Sequence, residues 1–555
     1  MSPPPKYTDV VCIGTGLSGI ALGARLKTHY PHASAHFYDR NTNLGGTWHA
    51  NTYPGAACDV PSVLYSFSFA MNAAWSCITP PQEEIKEYAL GVAREYGIPE
   101  RATLGAEVLG CEWVEGRGVW KVRVRRKGQG EEKEEWEHEC RVLFSAVGGL
   151  VYPNVPEVDG MEEFQGRICH SAEWDQAIEF KGKDVVVVGN GCTASQIVPA
   201  VAEVAASVTQ IVRSAHWLVK APKINYTPRI QWIFRNIPLV NRLHRFLIFL
   251  VMEDAFHLFG GSESSKKYRA RRRPVLEKYM REASPEKYHD ILIPDYEVGC
   301  KRRVLDVDYL KCLHNSHVTL AKSAITRITP TGIQTSTDTH YKAQVIIFAT
   351  GFKTCYFPLR IIGRQGVSMT DHFAGLGGPG AYKTTALHGF PNFFMLLGPN
   401  AATGHTSALM AIENTIEYAL KVLRPVLGRG ARGAAVEVRR EKERKWVSSV
   451  QKELARMVWS SGCKTWYNNE SGWNAMTYPW SQTHFWWHSL WVRWDDWIVT
   501  YNETPTSSPT KNLLLLISFV VVCACALLFG ESSKVYSRIA SVVYESEEGT
   551  REMYI

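Results

Sequence analysis

The chain alternates short apolar runs with stretches of helical period, and the punctuation between them is glycine. Residues 9–26, DVVCIGTGLSGIALGARL, begin as an apolar run, turn at Gly14, Thr15 and Gly16, and continue with apolar positions at helical spacing. Residues 183–202, KDVVVVGNGCTASQIVPAVA, repeat the scheme: a Val run meets Gly189, Asn190 and Gly191, and a helical pattern follows. Such runs bounded by turn residues predict buried strands, and the change to a 3.6-residue period predicts a helix after each. Strands alternating with helices predict an α/β fold. Residues 107–145 read differently, as a β-meander with hairpin signals at EGRG and KGQGEEKEEWEHE. Two further apolar strands, in VLFSAVGGL and QVIIFATGF, end in small residues and are expected where the chain re-enters its first domain. Residues 246–252, FLIFLVM, are too short to cross a bilayer and are expected as a buried helix, with the basic KKYRARRRP (266–274) a solvated connector. RREKERKW (439–446) is expected as an exposed, charged helix face.

The last apolar feature is of another kind. Residues 513–530, LLLLISFVVVCACALLFG, contain no charge. As a helix at 1.5 Å per residue they would span about 27 Å, near the hydrocarbon thickness of a bilayer. They follow a linker-like stretch, 501–512, and precede a polar tail, 531–555. The expectation is a C-terminal transmembrane helix acting as a single-pass membrane anchor. No basic, then apolar, leader opens the chain, so the large N-terminal part is expected on the cytosolic side.

The two glycine turns carry the candidate chemistry. In the first, Gly14, Gly16 and Gly19 form GxGxxG: a tight turn, a backbone able to approach a pyrophosphate, and close packing of helix on strand. The helix N-terminus then offers N–H groups to the anion. Asp39, at the end of the second strand, stands where a carboxylate accepts hydrogen bonds from an unphosphorylated ribose. In the second, Gly189, Asn190, Gly191, Cys192, Thr193 and Ala194 repeat the motif with Ala at its third small position. Its next strand ends in Arg213 and Ser214 instead of an acid, and a guanidinium binds a 2′-phosphate bidentately where a carboxylate repels it. The first turn is therefore expected to bind FAD and the second NADPH.

Composition adds limits. The chain has 555 residues, enough for about three or four domains at ~150 residues each. Its 45% hydrophobic and 21% charged residues are ordinary for a globular core. The net charge of +8 is spread along the chain, which accommodates phosphate-bearing ligands and gives no argument for nucleic acid. The 13 Cys show no CxxC and no zinc-ligand spacing with His, so free, buried thiols in a reducing compartment are expected, and no metal.

Between the two turns, FQGRICHSAEWD (164–175) sets Phe164, Gly166, His170, Trp174 and Asp175 in the pattern FxGxxxHxxxW followed by an acid. That fingerprint resembles the one carried by Baeyer–Villiger monooxygenases, flavoenzymes that insert oxygen beside a ketone. N- and S-oxygenating relatives normally have Tyr or Phe where Trp174 stands. The resemblance spans roughly residues 8–490 and includes GGTW (45–48), YPGAACDVPS (53–62), GCKRRVLDVDYL (299–310), ATGF (349–352) and GCKTWY with YPW (462–480). It is similar in general pattern to FAD-binding monooxygenases of fungal secondary metabolism that act on polyketides, terpenoids and steroids.

The resemblance implies FAD contacts from Thr47, Trp48, Asp59, Val60 and Tyr65, with Ala57, Cys58 and Asp59 bordering the nicotinamide cofactor. It places Lys301 on a cofactor phosphate and Arg302 beside the flavin, oriented by Asp59, stabilising negative charge. The fingerprint would be a linker letting the NADPH domain move, with His170 in a conformational role. The implied reaction takes NADPH, O₂ and a small hydrophobic ketone to an ester or lactone through a C4a-peroxyflavin. Two departures stand out: the family usually has Arg at the position of Ala57, and YPW replaces its WPG.

The expected architecture has two Rossmann-like dinucleotide-binding domains, the NADPH domain inserted into a discontinuous FAD domain. Residues 1–160 form the first part of the FAD domain. Residues 161–340 form the fingerprint and the NADPH domain with a helical subdomain, and 341–500 the second FAD part with the substrate side. Two alternatives remain at this level: N- or S-oxygenation on the same scaffold, and a membrane protein that binds both nucleotides without catalysis.

Overall fold

The computed structural model describes residues 6–501 apart from 128–132, 355–356, 358 and 432–434. The apolar run before Gly14 forms strand Tyr7–Ile13, which pairs in parallel with Ala35–Asp39 on one side and Lys133–Ser145 on the other. Cys12 lies opposite Phe37 and Phe144, and residues 10–12 are fully buried. A strand covered on both faces needs a continuous apolar run, which is why this one does not alternate. Ala102–Leu104 extends the sheet at one edge. At the other the meander Ala106–Val114, Val119–Lys127 and Lys133–Ser145 adds antiparallel strands. Ile361–Ile362 and Phe393–Met395, from far along the chain, complete an eight-stranded sheet.

A second sheet has five parallel strands in the order Val318–Lys322, Ser207–Val212, Asp184–Val188, Val345–Phe348 and Arg167–His170. Every strand of it comes from between the two portions of the chain that build the first sheet. Val345–Phe348, expected at re-entry into the first domain, lies inside this second sheet, between Asp184–Val188 and Arg167–His170. The chain rejoins the first sheet only at Ile361.

Each glycine turn launches a helix, Leu17–His29 from the first and Cys192–Ala202 from the second. Gly14 and Gly189 hold φ of +108° and +137°, and a Cβ on either would meet a carbonyl oxygen, of Ala146 or Ala349, at 2.5 or 2.3 Å. Only glycine satisfies both demands.

Between the sheets' strands lies a helical region. Residues 246–252 belong to helix Pro238–Asp254, but they are not the buried helix expected. Ile248, Phe249 and Met252 pack beneath Trp48 and Cys58, whereas Phe246, Leu247, Leu250 and Val251 are about half exposed. An apolar run at helical spacing turns some of its members outward, and among the described residues nothing covers them. The basic run 266–274 is no connector: it lies within helix Glu263–Ala283. Helix Arg440–Leu454 buries Val447, Val450 and Leu454 and turns most of its charges outward, with Glu443 the exception at 0% exposure.

The expectation of a membrane-spanning C-terminus is corrected. Among the described residues no helix is long and apolar enough to cross a membrane. The segment 513–530 on which the anchor rested lies outside the described residues, as do the linker and the tail around it. Eighteen uncharged residues sit at the lower limit of a bilayer span, and that length alone does not carry a membrane anchor. With the anchor goes the localisation drawn from it, a membrane-tethered chain facing the cytosol.

Candidate active site

Along the first sheet's glycine turn runs a cleft of about 1780 Å³. Gly14, Gly16, Asp39, Thr47, Trp48 and Tyr65 all line it. Gly19, Asp59 and Val60 do not: Gly19 faces the Gly14 carbonyl, and Val60 is buried among Trp48, Leu64 and Ile85. Asp39 is already engaged. Its Oδ2 accepts from the Thr15 amide and hydroxyl at 2.7 and 2.8 Å, and its Oδ1 from the Asn41 amide at 2.9 Å. A carboxylate has about four acceptor positions, so capacity remains for a ligand hydroxyl. Trp48 donates its indole N–H to the Tyr65 hydroxyl at 3.0 Å, and Gln82 donates to the Trp48 carbonyl. These bonds fix the two rings at the cleft wall. Leu397, Leu409 and Ile412, from the later part of the chain, close another side.

The second turn faces open space: a Cβ on Gly191 would meet nothing within 4 Å. Asn190 donates to the Ser214 carbonyl at 2.9 Å, tying the turn to the strand end where Arg213 and Ser214 stand exposed. Lys301 reaches the same point, donating to the Ser214 hydroxyl at 3.0 Å with its ammonium 4.7 Å from the Tyr296 ring centroid. Burial lowers the Lys301 pKa, opposed by Asp295 and reinforced by Arg213. Two cations and a hydroxyl gathered, with no acidic partner in hydrogen-bond reach among the described residues, suit a dianionic phosphate.

Between the two turns stands the Asp59–Arg302 pair. Arg302 places Nε at 3.0 Å and Nη2 at 2.5 Å from Asp59 Oδ2. Asp59 pushes the guanidinium pKa well above its ordinary value against the opposing effect of burial, so Arg302 is a fixed cation. The Cys192 thiol, from the second turn, also points at Asp59 Oδ2, at 3.9 Å. The first turn's segment and the second turn's helix are thus in contact through one carboxylate. Gln196 adds a second tie, donating to the Ala57 carbonyl at 3.1 Å and accepting from the Tyr53 hydroxyl at 2.9 Å. Cys58 is buried and its pKa raised by that burial, so its thiol stays protonated at neutral pH. Thr193 and Ala194 open the helix behind the second turn, Ala194 fully buried.

The fingerprint is not a free linker. Residues 167–170 form an edge strand of the second sheet, and Gly166 sits so close under the Phe164 ring that a Cβ would meet it at 2.6 Å. Trp174 stacks on Phe180 with centroids 5.5 Å apart. Asp175 pairs with Arg167 at 2.8 Å and accepts from the Ala177 amide at 2.9 Å. His170 is buried and its pKa lowered by burial, hence neutral. Its Nδ1 accepts from the Ala172 amide at 3.1 Å, leaving the proton on Nε2 to face the Thr350 hydroxyl at 3.3 Å. Thr350 in turn donates to the Asn154 carbonyl at 2.6 Å. Through Thr350, His170 thus joins two connections between the sheets.

Sequence patterns did not reveal two features of the site. Tyr467, from an irregular loop, is buried close enough to Arg302 and Cys192 for both to affect its ionisation. Cys300 and Cys463 form a disulfide, against the expectation of free thiols, while the other eight described cysteines are free. Pairing across 163 residues leaves no mark in local spacing.

Comparison with known proteins gives consistent results. A family model described as flavin-binding monooxygenase-like matches residues 82–253, and one described as a NAD(P)-binding Rossmann-like domain matches residues 12–77. The chain is 32% identical to the FAD-binding monooxygenase ktnD of Aspergillus niger, over 88% of this chain and 81% of that one. It is 32% identical to a Baeyer–Villiger monooxygenase of Pseudomonas aeruginosa, over 85% and 88%. In fold it matches cyclohexanone monooxygenase from Rhodococcus sp. Phi1 bound to NADP+, with a TM-score of 0.77 at 23% identity over 90% of this chain and 100% of that one.

Proposed function

The chain belongs to the Baeyer–Villiger-type flavin monooxygenases, and from that membership we propose that it oxidises a hydrophobic ketone of the polyketide, terpenoid or steroid kind to an ester or lactone in secondary metabolism. It is an enzyme that uses FAD and NADPH. We further propose the division of labour along the chain: residues 1–160 and the chain from about Ile361 to 500 serve FAD and substrate, and the stretch between them, through strand Val345–Phe348, serves NADPH.

The residues present fit both cofactors. Around the first turn, a cleft of about 1780 Å³ combines a glycine backbone, a helix N-terminus and Asp39 with spare acceptor capacity, which suits the pyrophosphate and ribose of FAD. Around the second, Arg213, Ser214 and Lys301 suit the 2′-phosphate of NADPH. When bound, FAD accepts a hydride from NADPH and activates O₂ for insertion beside a carbonyl. Trp48 and Tyr65, fixed by their mutual hydrogen bond, form an apolar wall that excludes water. Arg302 supplies permanent positive charge for the negative charge that develops on oxygen, and Asp59 sets the direction of the guanidinium.

The observation that carries this reading is the Asp59–Arg302 pair, set where the first-turn segment meets Cys192 of the second turn. The test is to reduce the FAD-loaded chain anaerobically with NADPH, admit O₂, and assay panels of ketones, amines and thioethers. One ester or lactone per NADPH from a ketone is expected. Oxygen gained only by amines or thioethers would replace the ketone reading with N- or S-oxygenation. A flavin that NADPH does not reduce would overturn both.

A further inference from the structure

Cys300 and Cys463 are the only disulfide-bonded cysteines among the described residues, and the bond lands at a particular place. Cys300 directly precedes Lys301 and Arg302, the two cations assigned above to phosphate and to reacting oxygen. The segment that carries them, between Leu292 and Val304, has no regular structure; its backbone ties include Cys300 N–H to the Glu297 carbonyl at 3.1 Å. The other end, Cys463, opens the irregular stretch that buries Tyr467 near Arg302. Trp466 in that stretch accepts from the Thr354 hydroxyl at 2.8 Å, anchoring it to the chain just beyond the second sheet. One covalent bond therefore ties the loop bearing both cations to the loop packed over one of them.

Physical reasons make this tie matter. Holding an irregular residue in one conformation costs about 1–2 kcal/mol of backbone entropy. Burial disfavours the Lys301 charge, with Asp295 opposing that effect and Arg213 adding to it. Asp59 restrains Arg302, whereas among the described residues Lys301 is in no salt bridge and is held by the Ser214 hydroxyl and the Tyr296 ring, so its placement depends on the loop around it.

We propose that Cys300–Cys463 is a redox-modifiable positioning crosslink that presents Lys301 to the 2′-phosphate of the nicotinamide cofactor, and that its reduction by a dithiol loosens this phosphate grip. The inference rests on the functional reading above. Cys300 is fully buried and Cys463 half-buried, so the attack falls on the Cys463 sulfur. The dithiol's thiolate forms a mixed disulfide with Cys463 and expels Cys300 as a thiolate. Its second thiol then closes on the first, releasing Cys463. Two electrons and two protons pass to the protein, and the reductant leaves as a cyclic disulfide.

The experiment uses the full FAD-loaded chain in four forms: oxidised, reduced with dithiothreitol, reoxidised, and Cys463→Ser. For each, dissociation constants of NADP+ and NAD+ are measured by titration, alongside FAD retention and the thermal midpoint. Reduction is expected to weaken NADP+ roughly tenfold, the scale of one charge-assisted contact, while changing NAD+ much less. Reoxidation should restore the affinity, and Cys463→Ser should match the reduced form and ignore dithiol. Unchanged NADP+ affinity in the reduced form and in Cys463→Ser would overturn the inference. Equal losses for NADP+, NAD+ and FAD with a lower midpoint would also overturn it, leaving an ordinary structural staple. An oxidised chain that binds neither nucleotide would instead overturn the functional reading, and this inference with it.

Discussion

At the scale of single residues, Arg302 is the sharpest prediction. Arg302→Ala should still load FAD and be reduced by NADPH, but oxygenated product should fall by about 10²–10³-fold, the usual cost of removing a preorganised charge stabiliser. Normal yield in a product assay would remove Arg302 from the chemistry. Arg213→Ala should weaken NADPH by about 1.5–3 kcal/mol, as for a lost charged hydrogen bond, with little effect on NADH. Equal losses in parallel titrations would mean that the guanidinium does not read the 2′-phosphate. Sequence could point to both arginines, Arg213 through a strand end that lacks its acid and Arg302 only through the family resemblance of GCKRRVLDVDYL. It could not point to Tyr467, whose partners are remote in sequence and whose neighbours show no period. At Ala57, where the family resemblance leads one to expect Arg, the backbone carbonyl accepts from the Gln196 side chain, so this position contributes no charge.

At the scale of elements, a single carboxylate joins three. Glu253, near the end of helix Pro238–Asp254, accepts from His405 Nε2 at 2.9 Å and from the Thr483 amide at 2.8 Å, at the start of helix Gln482–Leu490. Burial opposes its ionisation, but hydrogen bonds from His405, Thr483 and Ser481 outweigh it and bring the carboxyl from its ordinary 4.5 down to about 2. A lowered folded-state value means stability that is fully present above pH 4.5 and is lost as pH falls toward 2, on the order of 1–2 kcal/mol once solvent screening at this half-buried site is allowed for. Glu253→Gln should therefore be less stable than wild type near pH 6. The difference should shrink between pH 4.5 and 2 in denaturant titrations; a gap constant with pH would show that the charge is not what holds the junction. The element types themselves were mostly legible, because strand-to-glycine-to-helix switches and a charged hairpin are local. The burial of helix Pro238–Asp254 was not. Which side of an apolar helix is covered depends on what packs against it, and among the described residues half of that apolar face meets no partner.

At the scale of the molecule, the cleft beside the first turn should make folding and cofactor loading one equilibrium. Free FAD at 100 times its dissociation constant should raise stability by about 2.7 kcal/mol. Deflavinated protein should melt lower than the loaded form and recover on FAD titration in a thermal scan. A midpoint indifferent to FAD would mean that the cleft is filled or preformed by other means. The sheet order also dictates a schedule. All strands of the five-stranded sheet lie between residues 167 and 348, but the end of Lys133–Ser145 pairs with Phe393–Met395, and Ser145 and Phe393 are 393 − 145 = 248 positions apart. On a ribosome adding about 5–20 residues per second, the newborn chain waits roughly 12 to 50 s for that partner. The inserted unit can finish during this pause while its host keeps an open β edge, the kind of surface on which nascent chains mispair. Premature termination before residue 393 would leave the inserted sheet complete and that edge permanently bare.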